Sequence, residues 1–240
     1  MRNVLVTGGS KGLGLAIAGQ LADDGFRVIA VARSSSPALD ALIAETSGRI
    51  EFRPCDLAQL DGLSGFVRQL RADVGPVWGL VNNAGLGTSG LLANMSAKQI
   101  EALIQLNTTS PIMLTKFVAR AMMAQGEGRI VNMSSIVAST GFNGLSVYSA
   151  TKASLIGFTK ALARELGRVG VTVNAVAPGF IDTELTGGME SGERDRVARR
   201  SALQRLAAVE DVAGAVSYLF SERARNVTGT VMTVDAGATA

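Results

Sequence analysis

Tyr148 and Lys152 lie four residues apart in the run Tyr148-Ser149-Ala150-Thr151-Lys152. Positions i and i+4 of a helix share a face, so a helix here would aim a phenol and an ammonium into one space. An unperturbed tyrosine titrates near pH ~10 and is almost fully protonated at neutral pH. A neighbouring cation favours the phenolate and lowers that value. The spacing therefore predicts a Tyr148 able to donate and regain a proton near working pH, as general acid–base catalysis requires. Ser135, thirteen residues upstream of Tyr148 at the end of an apolar run, adds a hydroxyl.

A second constellation opens the chain. Thr7-Gly8-Gly9-Ser10-Lys11-Gly12-Leu13-Gly14 follows an apolar stretch at 4–6 and precedes Leu13, Ile17 and Leu21 at helical spacing. Strand, glycine turn and helix together present backbone N–H groups and a helix N-terminus to a pyrophosphate. The spacing is T-G-x-x-x-G-x-G, not the commoner G-x-G-x-x-G. After the apolar stretch at 28–32, NAD-binding folds place an Asp or Glu on the ribose hydroxyls. This chain has Arg33, Ser34, Ser35 and Ser36 there, and no acid before Asp40. Arginine suits a bidentate phosphate contact, the serines add donors, and Lys11 can reach the same phosphate. The predicted cofactor is NADP(H).

The elements that must position these groups alternate along the chain. Strands are expected at 4–6, 28–32, 50–52, 77–81, 129–134, 171–176 and 231–234. Helices are expected from Leu13 toward a stop at Gly25, at 37–46 before Gly48, from Tyr148 to about Gly167, and at 210–220. Leu60, Leu63, Phe66, Val67 and Leu70 form a further helical stripe. Ser96, with Gln99 three residues on, reads as a capping box opening a long helix. Asn107 falls inside that helix, four residues before Pro111. Proline has no N–H, so the Asn107 carbonyl loses its helical partner and is left for another donor, such as water. A loop between two helices frees the same region. Ser135 lies at the C-terminal end of the fifth strand, where ligands bind in open parallel sheets.

Composition excludes much else. The 240 residues suit one large α/β domain, and 47% hydrophobic residues argue against disorder. Aromatics are only 5% against 28 glycines, so the core must be aliphatic and closely packed. The chain has no histidine and one cysteine, Cys55. That removes histidine triads, an internal disulfide and cysteine-based zinc sites. A net charge of +3 without a long basic run gives little support for nucleic-acid binding. No apolar run approaches the ~20 residues of a membrane span. With the glycine turn so close to the start, there is no room for a signal peptide. A soluble cytoplasmic protein is expected, with no linker, repeat or second domain.

Taken together, these motifs resemble the short-chain dehydrogenase/reductase family, over nearly the whole chain. The resemblance implies a Rossmann-type, doubly wound fold: a seven-stranded parallel sheet with helices on both faces, in three α/β/α layers. It implies that Gly8, Gly12 and Gly14 take the three glycine roles, with Ser10, Lys11 and Leu13 in the same cofactor turn. Arg33 and Ser34 would meet the 2′-phosphate. Asp56 would sit near the adenine amino group, with the backbone of Leu57 beside it. Asn82-Asn83-Ala84-Gly85 resembles the family's sheet-stabilising motif, and its small residues let the backbone pass close to the cofactor. Ala177-Pro178-Gly179-Phe180-Ile181-Asp182-Thr183 resembles the segment closing over the nicotinamide, where the Ile181 backbone would meet the carboxamide with Thr183 next to it.

For chemistry, the resemblance implies hydride transfer from NADPH to a ketone. Tyr148 would donate the proton and Ser135 hold the carbonyl oxygen. Lys152 would lower the Tyr148 pKa and bind nicotinamide ribose, and Asn107 would hold a water linking that lysine to solvent. Gly128-Arg129-Ile130-Val131-Asn132 and Val173-Asn174-Ala175-Val176-Ala177-Pro178-Gly179 resemble the 3-oxoacyl-carrier-protein reductase branch. A branch this broad also holds acetoacetyl-CoA reductases, sugar dehydrogenases and general ketone reductases. The expected substrate is a 3-oxoacyl thioester, with acyl carrier protein a candidate partner and a homotetramer the family assembly. The chain departs from the pattern where the acidic carrier docks: Gln125-Gly126-Glu127 is not basic, and near Val169 only Arg168 remains. A mobile lid is expected at about 184–206. There Arg196, Arg199 and Arg200 would share one helix face, either meeting a phosphate or simply solvated beside Glu190, Glu193 and Asp195.

Overall fold

A computed structural model describes residues 1–181 and 191–240, with side chains from 196 onward in the second segment. The strands are β1 (Asn3–Thr7), β2 (Arg27–Ala32), β3 (Ile50–Pro54), β4 (Val77–Asn82), β5 (Gly128–Met133), β6 (Val171–Pro178) and β7 (Val231–Val234). The helices are α1 (Gly12–Asp23), α2 (Pro37–Glu45), α3 (Leu63–Val74), α4 (Ala97–Ile104), α5 (Ser110–Gln125), α6 (Ser146–Leu166), α7 (Ser191–Arg200) and α8 (Val209–Phe220). The strands form one seven-stranded sheet in the order β3-β2-β1-β4-β5-β6-β7. Every neighbouring pair is parallel.

The alternation of side chains along a strand divides the core in two. On one face Val4, Val6, Val28 and Ala30 pack with Ile17 and Leu21 of α1, Leu39 of α2 and Val212, Val216 and Leu219 of α8. On the other, Leu5, Ile29 and Val31 meet Leu63, Val67 and Leu70 of α3, Leu114, Val118 and Met122 of α5, and Leu162 and Leu166 of α6. Strands covered on both faces read as continuous apolar runs, which is why they stood out in the sequence. The chain winds outward from β1 to β3, then crosses to β4 and winds the other way. That switch opens a crevice beyond the strand ends at β1 and β4.

The expected strands are all present, most of them one or two residues longer than the apolar runs. The long helix opened by Ser96 differs from expectation. Its capping box is formed, with Ser96 Oγ accepting from Gln99 N and Gln99 Oε1 accepting from Ser96 N. Between α4 and α5, however, the chain stays helical and does not break into a loop. It widens into a π-turn over Gln105–Thr109, and Ser110 N donates to the Gln105 carbonyl. Pro111 lies in the first turn of α5, where a missing N–H costs least. Such single π-turns recur at functional sites.

Candidate active site

The glycine turn between β1 and α1 is shaped for close approach. Gly8 has φ +66° and Gly12 φ +53°, the left-handed region that other residues avoid. A Cβ on Gly14 would fall onto the Gly8 carbonyl oxygen and 2.5 Å from Asn83 Nδ2. Gly12 begins α1, so Lys11 stands at its N-cap without a side-chain cap and Leu13 is in the first turn. Ser10 is partly buried, and its carbonyl accepts from Ser36 Oγ at 2.5 Å.

Arg33 and Ser34 are exposed beyond the end of β2. The expectation that all three serines act as phosphate donors is corrected. Ser35 Oγ donates to Asp40 Oδ1 at 2.5 Å, and Ser36 caps α2 by accepting from Leu39 N. Their hydroxyls serve the start of α2, where Pro37 fixes the first turn. Asp56 is exposed beyond β3 with Oδ1 accepting from Ala58 N, and Leu57 beside it is buried.

Asn83 and Ala84 are tied to the glycine turn by a residue the sequence reading passed over. Thr7 Oγ1 accepts from the N–H of Asn83 at 2.9 Å and of Ala84 at 3.0 Å, and donates to the Val81 carbonyl. Asn83 Nδ2 donates back to the Thr7 carbonyl. Thr7 thus clamps the two crevice walls together. Its place before Gly8 in the turn was the available signal.

Tyr148 and Lys152 share a face of α6, with Lys152 Nζ 5.6 Å from the centre of the Tyr148 ring. Lys152 is buried, and its Nζ donates to the Met133 carbonyl at 2.8 Å. Burial alone brings its pKa down to about 8. A Ser135 hydrogen bond pulls the Tyr148 pKa down, but burial of the phenol outweighs it, and the value lies above the ordinary tyrosine value. This corrects the expectation that Lys152 lowers it: the ammonium is turned to the end of β5 and is itself disfavoured by burial. Ser134 Oγ donates to the Lys152 carbonyl and further fixes α6 on β5.

Asn107 is 1% exposed, in the π-turn. Its Oδ1 accepts from Leu86 N at 2.8 Å, and its Nδ2 donates to the Leu86 carbonyl at 2.9 Å and to Thr151 Oγ1 at 3.2 Å. Thr151 in turn donates to the Tyr148 carbonyl. A Cβ on Gly85 would lie 3.2 Å from Asn107 Oδ1 and 3.5 Å from Lys152 Nζ. The exit of β4, the π-turn and α6 therefore converge at one point. Attention to the Asn107 carbonyl missed its side chain, which joins the three.

Beyond β6, Gly179 N donates to the Val234 carbonyl, and a Cβ there would press to 2.7 Å from Asp235 Cβ. Pro178 ends the strand, and Ile181 is buried and bridged to Ala207. Thr183 lies outside the described residues, as does part of the expected lid. The rest of that segment includes α7, on which Arg196, Arg199 and Arg200 are exposed. The two segments expected to dock a carrier meet in space, since a Cβ on Gly170 would strike the Gly126 carbonyl. Glu127 there is paired with Arg2 at 2.7 Å.

Comparison with known proteins settles the lineage. The family model for short chain dehydrogenases matches residues 2–194. The chain belongs to the short-chain dehydrogenase family. It is 39% identical over 236 residues to the 3-oxoacyl-[acyl-carrier-protein] reductase FabG of Escherichia coli, covering 97% of this chain and 95% of that one. It is 36% identical to Nodulation protein G of Rhizobium sp. (strain N33), covering 98% and 96%. Among solved structures it resembles ElxO with NADP bound, with a TM-score of 0.92 and 31% identity over 99% and 98% of the two chains. A gluconate 5-dehydrogenase from Burkholderia cenocepacia, in complex with NADP and tartrate, gives a TM-score of 0.94 at 28% identity over 99% and 95%. As a short-chain dehydrogenase this chain is an oxidoreductase. No described helix is long and apolar enough to cross a membrane.

Proposed function

We propose that this short-chain dehydrogenase is an NADPH-dependent ketone reductase acting on 3-oxoacyl thioesters. The observation that carries the reaction is the convergence of Ser135, Tyr148 and Lys152 beyond the end of β5. The glycine turn fits a dinucleotide: Gly8 and Gly14 let it pack tightly on itself and on Asn83, while a Cβ on Gly12, at the head of α1, would meet open space where a helix N-terminus can receive phosphate. Exposed Arg33, without an acid at the end of β2, fits a 2′-phosphate. Bound nicotinamide supplies the hydride. Ser135 then holds the substrate carbonyl oxygen and Tyr148 O–H protonates it as the carbon is reduced, giving a hydroxyl. Lys152, tethered to the Met133 carbonyl beside that tyrosine, would hold the nicotinamide ribose. Asn107 keeps the Leu86 loop and α6 in register around these groups.

The similarity to 3-oxoacyl-carrier-protein reductases supports the thioester, on acyl carrier protein or on CoA. The resemblance to a gluconate dehydrogenase favours a second reading, oxidation of a hydroxylated acid. NADPH oxidation with a panel of 3-oxoacyl thioesters, 3-oxo esters, sugars and diketones separates them. Turnover of sugars and not thioesters selects the second.

The homotetramer expectation is supported by an apolar groove on the α4/α6 face. Leu92, Ile100, Ile104, Val147 and Ala150 are among the residues lining its ~360 Å³. Light scattering of the purified protein tests it. A cytoplasmic location accords with the lone half-buried thiol, Cys55.

A further inference from the structure

The rings of Phe142 and Phe180 meet with centres 5.3 Å apart and planes tilted by 54°. They come from different loops. Phe142 lies between Ser135 and Tyr148, on the segment joining β5 to α6, and Phe180 follows the end of β6. Because β5 and β6 are adjacent and parallel, both loops leave the sheet on the side where Ser135 and Tyr148 stand. The pair therefore joins those loops at the end of the sheet that carries Ser135 and Tyr148.

Two observations show that this contact is built into the fold. The Phe142 loop is braced: Leu145 N donates to the Phe142 carbonyl at 3.2 Å, and Gly90 N to the Gly144 carbonyl at 2.8 Å. Gly144 has φ +76°, a turn that holds the loop in place. Phe142 is nonetheless 44% exposed, in a chain whose aromatics are only 5%. A braced ring with one side packed and the other bare offers apolar area to something that arrives later.

We propose that Phe142, backed by Phe180, forms an apolar platform for the substituent on the substrate ketone, so that the enzyme favours longer alkyl chains. The inference rests on ketone reduction at Ser135 and Tyr148, and its first probes on the thioester reading. Fully burying a methylene favours binding about fourfold, and a platform covers one side of the chain. From a 3-oxobutanoyl to a 3-oxooctanoyl substrate, kcat/KM should then rise on the order of tenfold.

The test is kcat/KM for 3-oxobutanoyl, 3-oxohexanoyl and 3-oxooctanoyl N-acetylcysteamine thioesters, and in parallel for 2-alkanones of matched length. Wild type, Phe142→Ser, Phe142→Leu, Phe180→Ser and the double variant Phe142→Ser with Phe180→Ser are compared. The readout is the ratio of longest to shortest substrate within each enzyme, which the fraction of active protein does not alter. Phe142→Ser should bring the ratio to about twofold or less, losing most of the methylene gain. Phe142→Leu should keep most of it, because the surface stays apolar. Phe142→Ser with Phe180→Ser should lose little more than either alone, since the rings act as one unit. If thioesters fail but 2-alkanones show this pattern, the platform stands and the thioester reading falls. A flat wild-type profile, equal losses on all substrates in Phe142→Ser, or no turnover in either series overturns the platform.

Discussion

Lys152 Nζ donates to the Met133 carbonyl at 2.8 Å, so the cation of α6 is tethered to the last residue of β5. Ser135 follows two residues later and Tyr148 lies one helical turn before the lysine. One hydrogen bond thus sets the spacing between the strand that carries the serine and the helix that carries the tyrosine. It also holds the ammonium inside, where burial brings its pKa to about 8.

That burial has a cost in stability. In the unfolded chain the lysine titrates at its ordinary value of 10.5, and in the folded protein near 8. Between these values the unfolded chain binds more protons, so unfolding free energy rises with pH across that window and the penalty is fully present below it. The difference amounts to roughly 3 kcal/mol. Lys152→Met should therefore raise Tm of the cofactor-free protein at pH 7, while abolishing turnover. Thermal melts of both proteins at pH 7 and pH 10 check this, and the advantage of the variant should shrink at the higher pH.

Tyr148 should titrate above the ordinary tyrosine value in the free protein, because burial outweighs the Ser135 hydrogen bond. The phenolate absorbance that Tyr148→Phe removes measures it directly. Ser135→Ala deletes the interaction that lowers the value, so titration should move further up in pH. Tyr148→Phe should also cost at least ~10²-fold in kcat, the low end for a general acid, with NADPH affinity nearly intact. Near-normal turnover in that variant would remove Tyr148 from the mechanism.

Arg33→Asp should reverse a strong preference for NADPH over NADH. The carboxylate repels a 2′-phosphate and accepts from a ribose hydroxyl. Dissociation constants for both cofactors, in wild type and variant, give the outcome; equal wild-type affinities would refute the assignment.

Gly14→Ala should weaken NADPH binding at least tenfold and lower Tm by several degrees, because its Cβ would strike the Gly8 carbonyl. Gly65→Ala is the contrasting substitution. A Cβ there meets nothing within 4 Å, and the residue lies inside α3. It should stabilise the protein by about 0.5–1 kcal/mol. Calorimetry and cofactor titration distinguish the two.

The sheet was legible in the sequence because its strands are buried on both faces and punctuated by Gly8, Gly25, Gly48 and Gly85. The candidate pair was legible because Tyr148 and Lys152 sit four residues apart, a spacing that α6 turns into one shared face. What escaped notice depends on contacts far apart in the chain. Thr7 reaches across to Asn83, and the Asn107 side chain to Leu86 and Thr151. No local pattern marks such partners. The direction of the Tyr148 shift was misjudged for the same reason. Spacing along a helix shows which groups are neighbours, but the depth of the site, which decides the sign, comes from the packing of α6 on β5.

The two core asparagines β4 and β5 share carry a consequence for assembly. Asn82 Nδ2 donates to Thr115 Oγ1 of α5 and to Asn132 Oδ1, and Asn132 Nδ2 donates to Thr159 Oγ1 of α6 at 2.8 Å. All four residues are buried, so a mismatch would strand amides away from water. Thr159 lies seven residues beyond Lys152, two helical turns along the same face. A one-residue slip of α6 would swing Lys152 by about 100° around the helix axis. The polar chain therefore works as a key: α6 seats in one rotation only, and Tyr148 and Lys152 come into line with the end of β5 when that key turns home.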